Sequence, residues 1–222
     1  MIDYRAGNAQ VFDGSFDYDT LASYSSPAQA QPFSFLFECK LTTKITTGLW
    51  SDVVGGIGME LYIEGTGKLR FLIANGPGNL YYVNTTQTVT AEQNTIIFTW
   101  SGSVAKIYLN GTALTINTIS NTLVSYLSGT RTAYLASRPA GIDLMQGKMK
   151  LIEAVDRVVT AQEISDATAG GSFRAAGIPY DGGEYLVAIN FDKADGQNPT
   201  TFAGTPSYTI TGFGGTTYAT YL

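Results

Sequence analysis

The sequence predicts an all-β fold, in which short antiparallel strands close into a sandwich or barrel and a single short helix forms at about 160–169. Three observations carry this expectation. Charged residues make up only 14% of the 222 residues and aromatics 12%, with 25 Gly and many Thr, a balance that favours strands and turns over surface helices. Short apolar or alternating runs recur at regular spacing between turn signals, the pattern of a sandwich or barrel. Asn110-Gly111 is the sharpest of those signals, because both residues tolerate the positive φ that a two-residue type I′ hairpin requires. A chain of this length supports one substantial core, as one large β domain or two small ones.

The strands are read in order. Gln10 to Phe12 precedes an Asp13-Gly14 turn. In the run from Phe33 to Leu41, period-2 alternation puts Phe33, Phe35, Phe37, Cys39 and Leu41 on one face, so the Cys39 thiol is expected to be buried and inert. Further strands are expected at 57–64, 68–74, 80–84, 95–101, 104–110, 113–117, 132–136, 148–155 and 185–191, punctuated by Gly65-Thr66-Gly67, Asn75-Gly76-Pro77-Gly78 and Ser101-Gly102-Ser103. The helix has Thr160 as its N-cap and Glu163 three residues on, a capping box; Val159 and Ile164 form a hydrophobic staple, and Gly170-Gly171 ends it. Such a helix is expected to cover an open end or edge of the sandwich. After Asp192 the composition shifts to Gly, Thr, Pro and Asn. Residues 1–192 therefore read as the domain, and 193–222 as an extension that packs on it or on a partner, with Tyr218, Tyr221 and Leu222 as assembly candidates.

Composition excludes several chemistries. With no His there is no Ser-His-Asp or Cys-His triad and no imidazole acid or base; with one Cys there is no internal disulfide and no thiolate cluster. A formal charge of −5 gives no basic footprint for nucleic acid and no attraction to an anionic membrane surface. The start, Met1-Ile2-Asp3-Tyr4-Arg5, has no basic-then-apolar signal pattern, and no run reaches the roughly 20 apolar residues of a membrane span.

The order of segments resembles the laminin-G-like members of the concanavalin A-like lectin/glucanase superfamily. Phe12-Asp13-Gly14-Ser15-Phe16-Asp17-Tyr18 is similar to the family's opening, and Phe33 to Leu41 to its first long strand. Ile107 to Gly111 resembles its Asn-Gly hairpin, and Met145 to Met149 a following strand start. Val155 to Ile164 resembles its closing turn and helix, and Tyr185 to Asp192 the strand after it. The resemblance spans about residues 9–192 and implies a jelly-roll sandwich of two curved antiparallel sheets. Members bind sugars or proteins, cleave polysaccharides or serve as structural modules, so the fold leaves the function open.

Within that family, hydrolases carry two Glu residues around a central Asp on one strand. Here Glu60 and Glu64 share a face with Tyr62 between them, the Asp is missing, and a solvated outer face is the expectation, with Leu61 and Ile63 inward. No catalytic residue is assigned, and the protein is expected not to be an enzyme. The resemblance also allows a single structural calcium at the rim, for which Asp13, Asp17, Asp19 and Asp143 are the available carboxylates; turn-forming roles account for them, no metal ligand is assigned, and no cofactor is expected. For sugar or partner contact the candidates are Trp50 and Asp52, in a segment read as lying between strands, and Tyr81 and Tyr82, of which alternation should turn one outward. Trp50 is weighed as sugar platform, protein contact or core plug. The functional expectation is a non-enzymatic structural or adhesion module, a phage virion component such as a head decoration, head fibre or tail fibre, made in the host cytoplasm without a signal peptide. Its partners would be other virion proteins or itself, and a surface glycan. A carbohydrate-binding module is the alternative, and a glycoside hydrolase a weaker one.

Overall fold

The computed structural model describes residues 10–13, 19–27, 30–42, 46–124, 129–139, 142–178, 185–190, 200–201, 209–212 and 217–220. One sheet is built from β1 (Gln10–Asp13), β3 (Phe33–Leu41), β8 (Gln93–Trp100), β9 (Ala105–Leu109), β10 (Thr112–Ala113), β13 (Gln146–Val155), β14 (Tyr185–Asn190) and β15 (Thr200–Thr201). Its order is β10-β9-β8-β3-β13-β14-β15, and β1 and β14 pair with successive parts of the β13 edge opposite β3. The second sheet contains β2 (Asp19–Ser26), β4 (Thr47–Ser51), β5 (Ile57–Ile63), β6 (Lys68–Asn75), β7 (Leu80–Thr88), β11 (Ile116–Asn121), β12 (Gly129–Leu135), β16 (Thr209–Gly212) and β17 (Thr217–Thr220). Its order is β11-β7-β6-β5-β4-β12-β2-β16-β17. Every pairing is antiparallel, and the architecture is the two-sheet jelly-roll sandwich that the sequence predicts.

The alternation in β3 does what its period requires. Phe33, Phe35, Phe37, Cys39 and Leu41 face the interior, where they join Trp50, Phe71, Phe98 and Trp100 in one core cluster. Phe35 meets Trp50 of the facing sheet at 5.1 Å between ring centroids, and Phe71 meets Trp100 at 5.8 Å. Burial, with Glu38 beside it, pushes the Cys39 thiol above its ordinary range, so it is a packing group rather than a nucleophile. Asn110 and Gly111 both adopt positive φ, as a type I′ turn demands.

The helix α1 (Ala161–Gly170) forms as its caps predict. The Thr160 hydroxyl accepts from the Glu163 amide, the Glu163 carboxylate accepts from the Thr160 amide, and Gly171 closes the helix at φ 75°. Its position differs from the expectation: it covers a face, not an edge. Val159, Ile164, Ala167, Phe173 and Ile178 pack on Leu36, Ile97, Leu151, Val155 and Ala188, the outward residues of the first sheet. Part of that sheet's outer face is thus covered by apolar packing, whereas among the described residues no helix packs on the second sheet.

Two sequence readings are corrected and one strand is added. The strand expected at 113–117 is two strands, β10 and β11, in different sheets; chain crossing between sheets is invisible to local alternation. The segment holding Trp50 is the strand β4, not a connection. The polar run Asp19–Ser26, in which the sequence shows no strand signal, is β2, recruited by pairing with β12. Beyond residue 193, β15 pairs with β14 and β16 with β2, so this segment contributes backbone to both sheets. Tyr218 lies in β17; Tyr221 and Leu222 lie outside the described residues.

Gly48 sets how closely β4 approaches the segment after β12. A Cβ on Gly48 would lie 2.0 Å from the Ser137 carbonyl carbon and 2.6 Å from the Arg138 amide nitrogen. Gly48→Ala is therefore expected to destabilise the fold by about 1–3 kcal/mol, the usual range for overpacking, read as a lowered urea midpoint; an unchanged midpoint would refute the close approach.

Candidate functional site

The open face of the second sheet carries the site. Alternation along β5 turns Met59, Leu61 and Ile63 into the core and leaves Glu60 and Tyr62 on the opposite face. Cross-strand register then places Tyr62 opposite Arg70, Arg70 opposite Asn84, and Leu72 opposite both Glu60 and Tyr82. Arg138 reaches the same face from beyond β12, where Gly48 lets its backbone approach.

These groups form one hydrogen-bonded network. Arg138 donates to both Glu60 oxygens, at 3.2 and 3.3 Å, and to Asp143 Oδ2 at 2.8 Å. Glu60 Oε1 also accepts from the Ser51 hydroxyl at 3.1 Å. Arg70 pairs with Glu64, whose Oε1 accepts from Asn84 Nδ2 and whose Oε2 accepts from the Thr66 hydroxyl, both at 3.1 Å. Arg70 Nη1 donates to the Tyr62 hydroxyl at 2.9 Å, and the Tyr62 and Tyr82 hydroxyls lie 3.2 Å apart. The Arg70 guanidinium is 4.9 Å from the Tyr82 ring centroid and 5.6 Å from that of Tyr62; the Arg138 guanidinium is 5.0 Å from that of Tyr62.

Burial raises the Tyr62 phenol above its ordinary value against the pull of Arg70 and Arg138, so its hydroxyl stays protonated at neutral pH. Burial works against the Arg138 charge, but Asp143 and Glu60 outweigh it and hold the guanidinium protonated. Between these groups lies an open cleft of about 400 Å³ lined by Thr46, Tyr62, Glu64, Gly65, Thr66, Arg70 and Arg138. Its lining mixes apolar surface with cross-braced hydroxyl, carboxylate and guanidinium groups that can hydrogen bond a polyhydroxylated ligand.

The structure sorts the sequence candidates. Trp50 is 0% exposed and packs on Phe35, so the platform reading is corrected: a bulge between Gly48 and Trp50 and pairing opposite Leu61 turn the indole inward. Asp52 is also 0% exposed and cannot contact a ligand as expected. Tyr81 is buried, 4.9 Å from Trp100 between ring centroids, and gives up its place as a contact candidate, whereas Tyr82 points outward and joins the site. Glu60 and Glu64 do share the outer face, yet that face is not simply solvated: Glu60 is 5% exposed and held by Arg138. Of the carboxylates considered for calcium, Asp143 pairs with Arg138, Asp13 and Asp19 lie in strands, and Asp17 lies outside the described residues. Among the described residues no three Asp, Glu or Cys side chains converge as a metal site would require. Sequence reading missed Arg70, Arg138, Asn84 and Thr66. Period-2 alternation opposite Tyr62 could have found Arg70; nothing local marks Arg138.

The chain belongs to the concanavalin A-like lectin/glucanases superfamily, whose laminin-G-type family model matches residues 13–165. No curated protein matches it in sequence. Solved structures share the fold at low identity. A putative carbohydrate binding protein from Bacteroides ovatus superposes with a TM-score of 0.62 at 14% identity over 96% of this chain, which spans 62% of that one. A heptameric SAP-like pentraxin from Limulus polyphemus gives 0.57 at 13% identity, covering 96% of this chain and 97% of its own. The Ruminococcus gnavus IT-sialidase CBM40 gives 0.51 at 14% identity, over 66% and 95% respectively.

Asp52 has a structural role that pH can expose. Its Oδ1 accepts from the Met59 amide at 2.6 Å, locking the β4–β5 turn. Burial nonetheless pushes the carboxyl from its ordinary 3.8 up to about 6, against the opposing Met59 amide, Arg131 and Ser26. The folded state therefore binds this proton more tightly than the unfolded chain, and the stability it contributes is full below about pH 4 and lost as pH rises through 6. A shift of that size is worth on the order of 3 kcal/mol. Urea titrations from pH 4 to 7 should show this fall, and Asp52→Asn should flatten it. Equal slopes in the two proteins would refute the assignment.

Proposed function

We propose that this protein is a non-enzymatic glycan-binding module whose ligand sits in the cleft lined by Tyr62, Glu64, Arg70 and Arg138. The carrying observation is the network itself: donors, acceptors and an outward Tyr82 held on neighbouring strands beside an open cleft. Sugar recognition needs directional polar partners next to an aromatic surface, and rigid presentation lowers the entropic cost of binding. The resemblance to a putative carbohydrate binding protein supports the same reading.

A hydrolase role fits less well. A general acid must reach the glycosidic oxygen, but Glu60 is buried beneath Arg138. Glu64 is likewise engaged by Arg70, Asn84 and Thr66.

The expected outcome on a broad glycan array is binding that Tyr82→Ala, which removes the ring braced against cleft-lining Arg70, weakens by about tenfold or more, with thermal stability retained. No reducing ends should be released from the bound polysaccharide. Undiminished binding by Tyr82→Ala would move the site elsewhere, and reducing ends that disappear in a Glu60→Gln/Glu64→Gln double variant would establish catalysis.

A second reading concerns where such binding acts. We infer self-association, as a virion decoration or fibre subunit would need, supported by one observation: among the described residues β17 stands at the outer end of the nine-stranded sheet, a strand edge able to pair with a neighbouring subunit. Light scattering should then show an assembly that Ala219→Lys on this edge dissociates. A monomer at all concentrations, absent from purified particles by mass spectrometry, would end this reading.

A further inference from the structure

We propose that the cleft takes a neutral glycan through its hydroxyl groups and discriminates against acidic glycans. This rests on the glycan-binding reading and names the ligand class for the same site. Charge compensation carries it. Glu60, Glu64 and Asp143 stand against Arg70 and Arg138, and each guanidinium already pairs with a carboxylate. Arginine captures a carboxylate or sulfate by offering its N–H fork. Here an incoming anion meets guanidinium groups whose charge Glu64, Glu60 and Asp143 already compensate. The anion then lies beside those carboxylates, an unfavourable like-charge arrangement. The chain's net charge of −5 acts in the same direction at longer range.

A sugar hydroxyl meets no such obstacle, because it donates and accepts at once. Glu64 supplies the anchoring acceptor. Its Oε1 is taken by Arg70 and Asn84, but among the described residues Oε2 accepts only from the exposed hydroxyl of Thr66. An ionised carboxylate has about four lone-pair sites, so Oε2 keeps room for a ligand O–H. The neighbouring Tyr62 hydroxyl, protonated and fixed by Arg70, is a second hydroxyl partner on the same wall. A neutral sugar can thus bind without breaking an ion pair.

Isothermal titration of the full chain against matched neutral and acidic oligosaccharides, following an array of both kinds, tests this. The neutral ligand should bind about tenfold or more tighter than its uronate or sialylated counterpart, the size of effect that one charge-assisted hydrogen bond produces. Its Kd should change by less than about twofold between 50 and 500 mM NaCl, because no net ion pair is formed. Glu64→Gln removes the anchoring charge and leaves Arg70 uncompensated, so it should weaken neutral binding and strengthen acidic binding. A misfolded variant does not give such a gain. Acidic ligands preferred by the natural chain, with affinity falling steeply in salt and abolished in Arg70→Gln, would overturn the inference while leaving the glycan-binding reading intact. Silence towards both kinds would sink that reading itself.

Discussion

The contact between Phe35 of one sheet and Trp50 of the other links the two halves of the sandwich, and the site depends on it. Burying aromatic rings from facing sheets is the main source of cohesion in such a fold, since each contributes a large apolar area. Because Trp50 turns inward opposite Leu61, Ser51 falls opposite Glu60 and reaches its carboxylate. The same strand carries Gly48 against the backbone of Ser137 and Arg138. Core packing at one residue of β4 therefore fixes the register that presents Glu60 and admits Arg138.

The two sheets divide the labour by what covers them. The first is covered on its inner side by the aromatic core and over part of its outer side by α1 and the segment that follows. Even its outward carboxylates are internal; Glu38 accepts from the Thr95 hydroxyl and Glu153 from the Phe173 amide. Among the described residues no helix packs on the second sheet, and its outer face carries the paired charged side chains. Their mutual pairing braces that face, as expected where partly buried charges must be compensated. A rigid, nearly neutral polar wall is a surface for hydroxyl groups more than for ions.

Much of the architecture is legible in single elements. The alternation from Phe33 to Leu41 gives β3 its bounds and its buried face, and the box from Thr160 to Glu163 places the N-cap of α1. Asn110-Gly111 marks its hairpin turn. The readings that fail share a cause. Asp19–Ser26 is a strand because β12 pairs with it, not because its own residues ask for one. Thr112–Asn121 changes sheet midway, which no local period records. Trp50 has the composition of a binding platform, and a bulge turns it inward.

Local stereochemistry and residue inventory are enough to say which residues alternate, where the turns and the helix cap fall, and which chemistries are absent, and all of these can be read along the chain. They also place Glu60, Tyr62 and Glu64 on one face, since period 2 is a property of any strand. Three-dimensional packing was needed to establish that no described helix covers this face, that Tyr82 rather than Tyr81 or Trp50 belongs to it, and that Arg70 and Arg138 complete it. Arg138 stands 78 residues along the chain from Glu60. Their meeting depends on sheet order and on the space above Gly48, neither of which is encoded in any one segment.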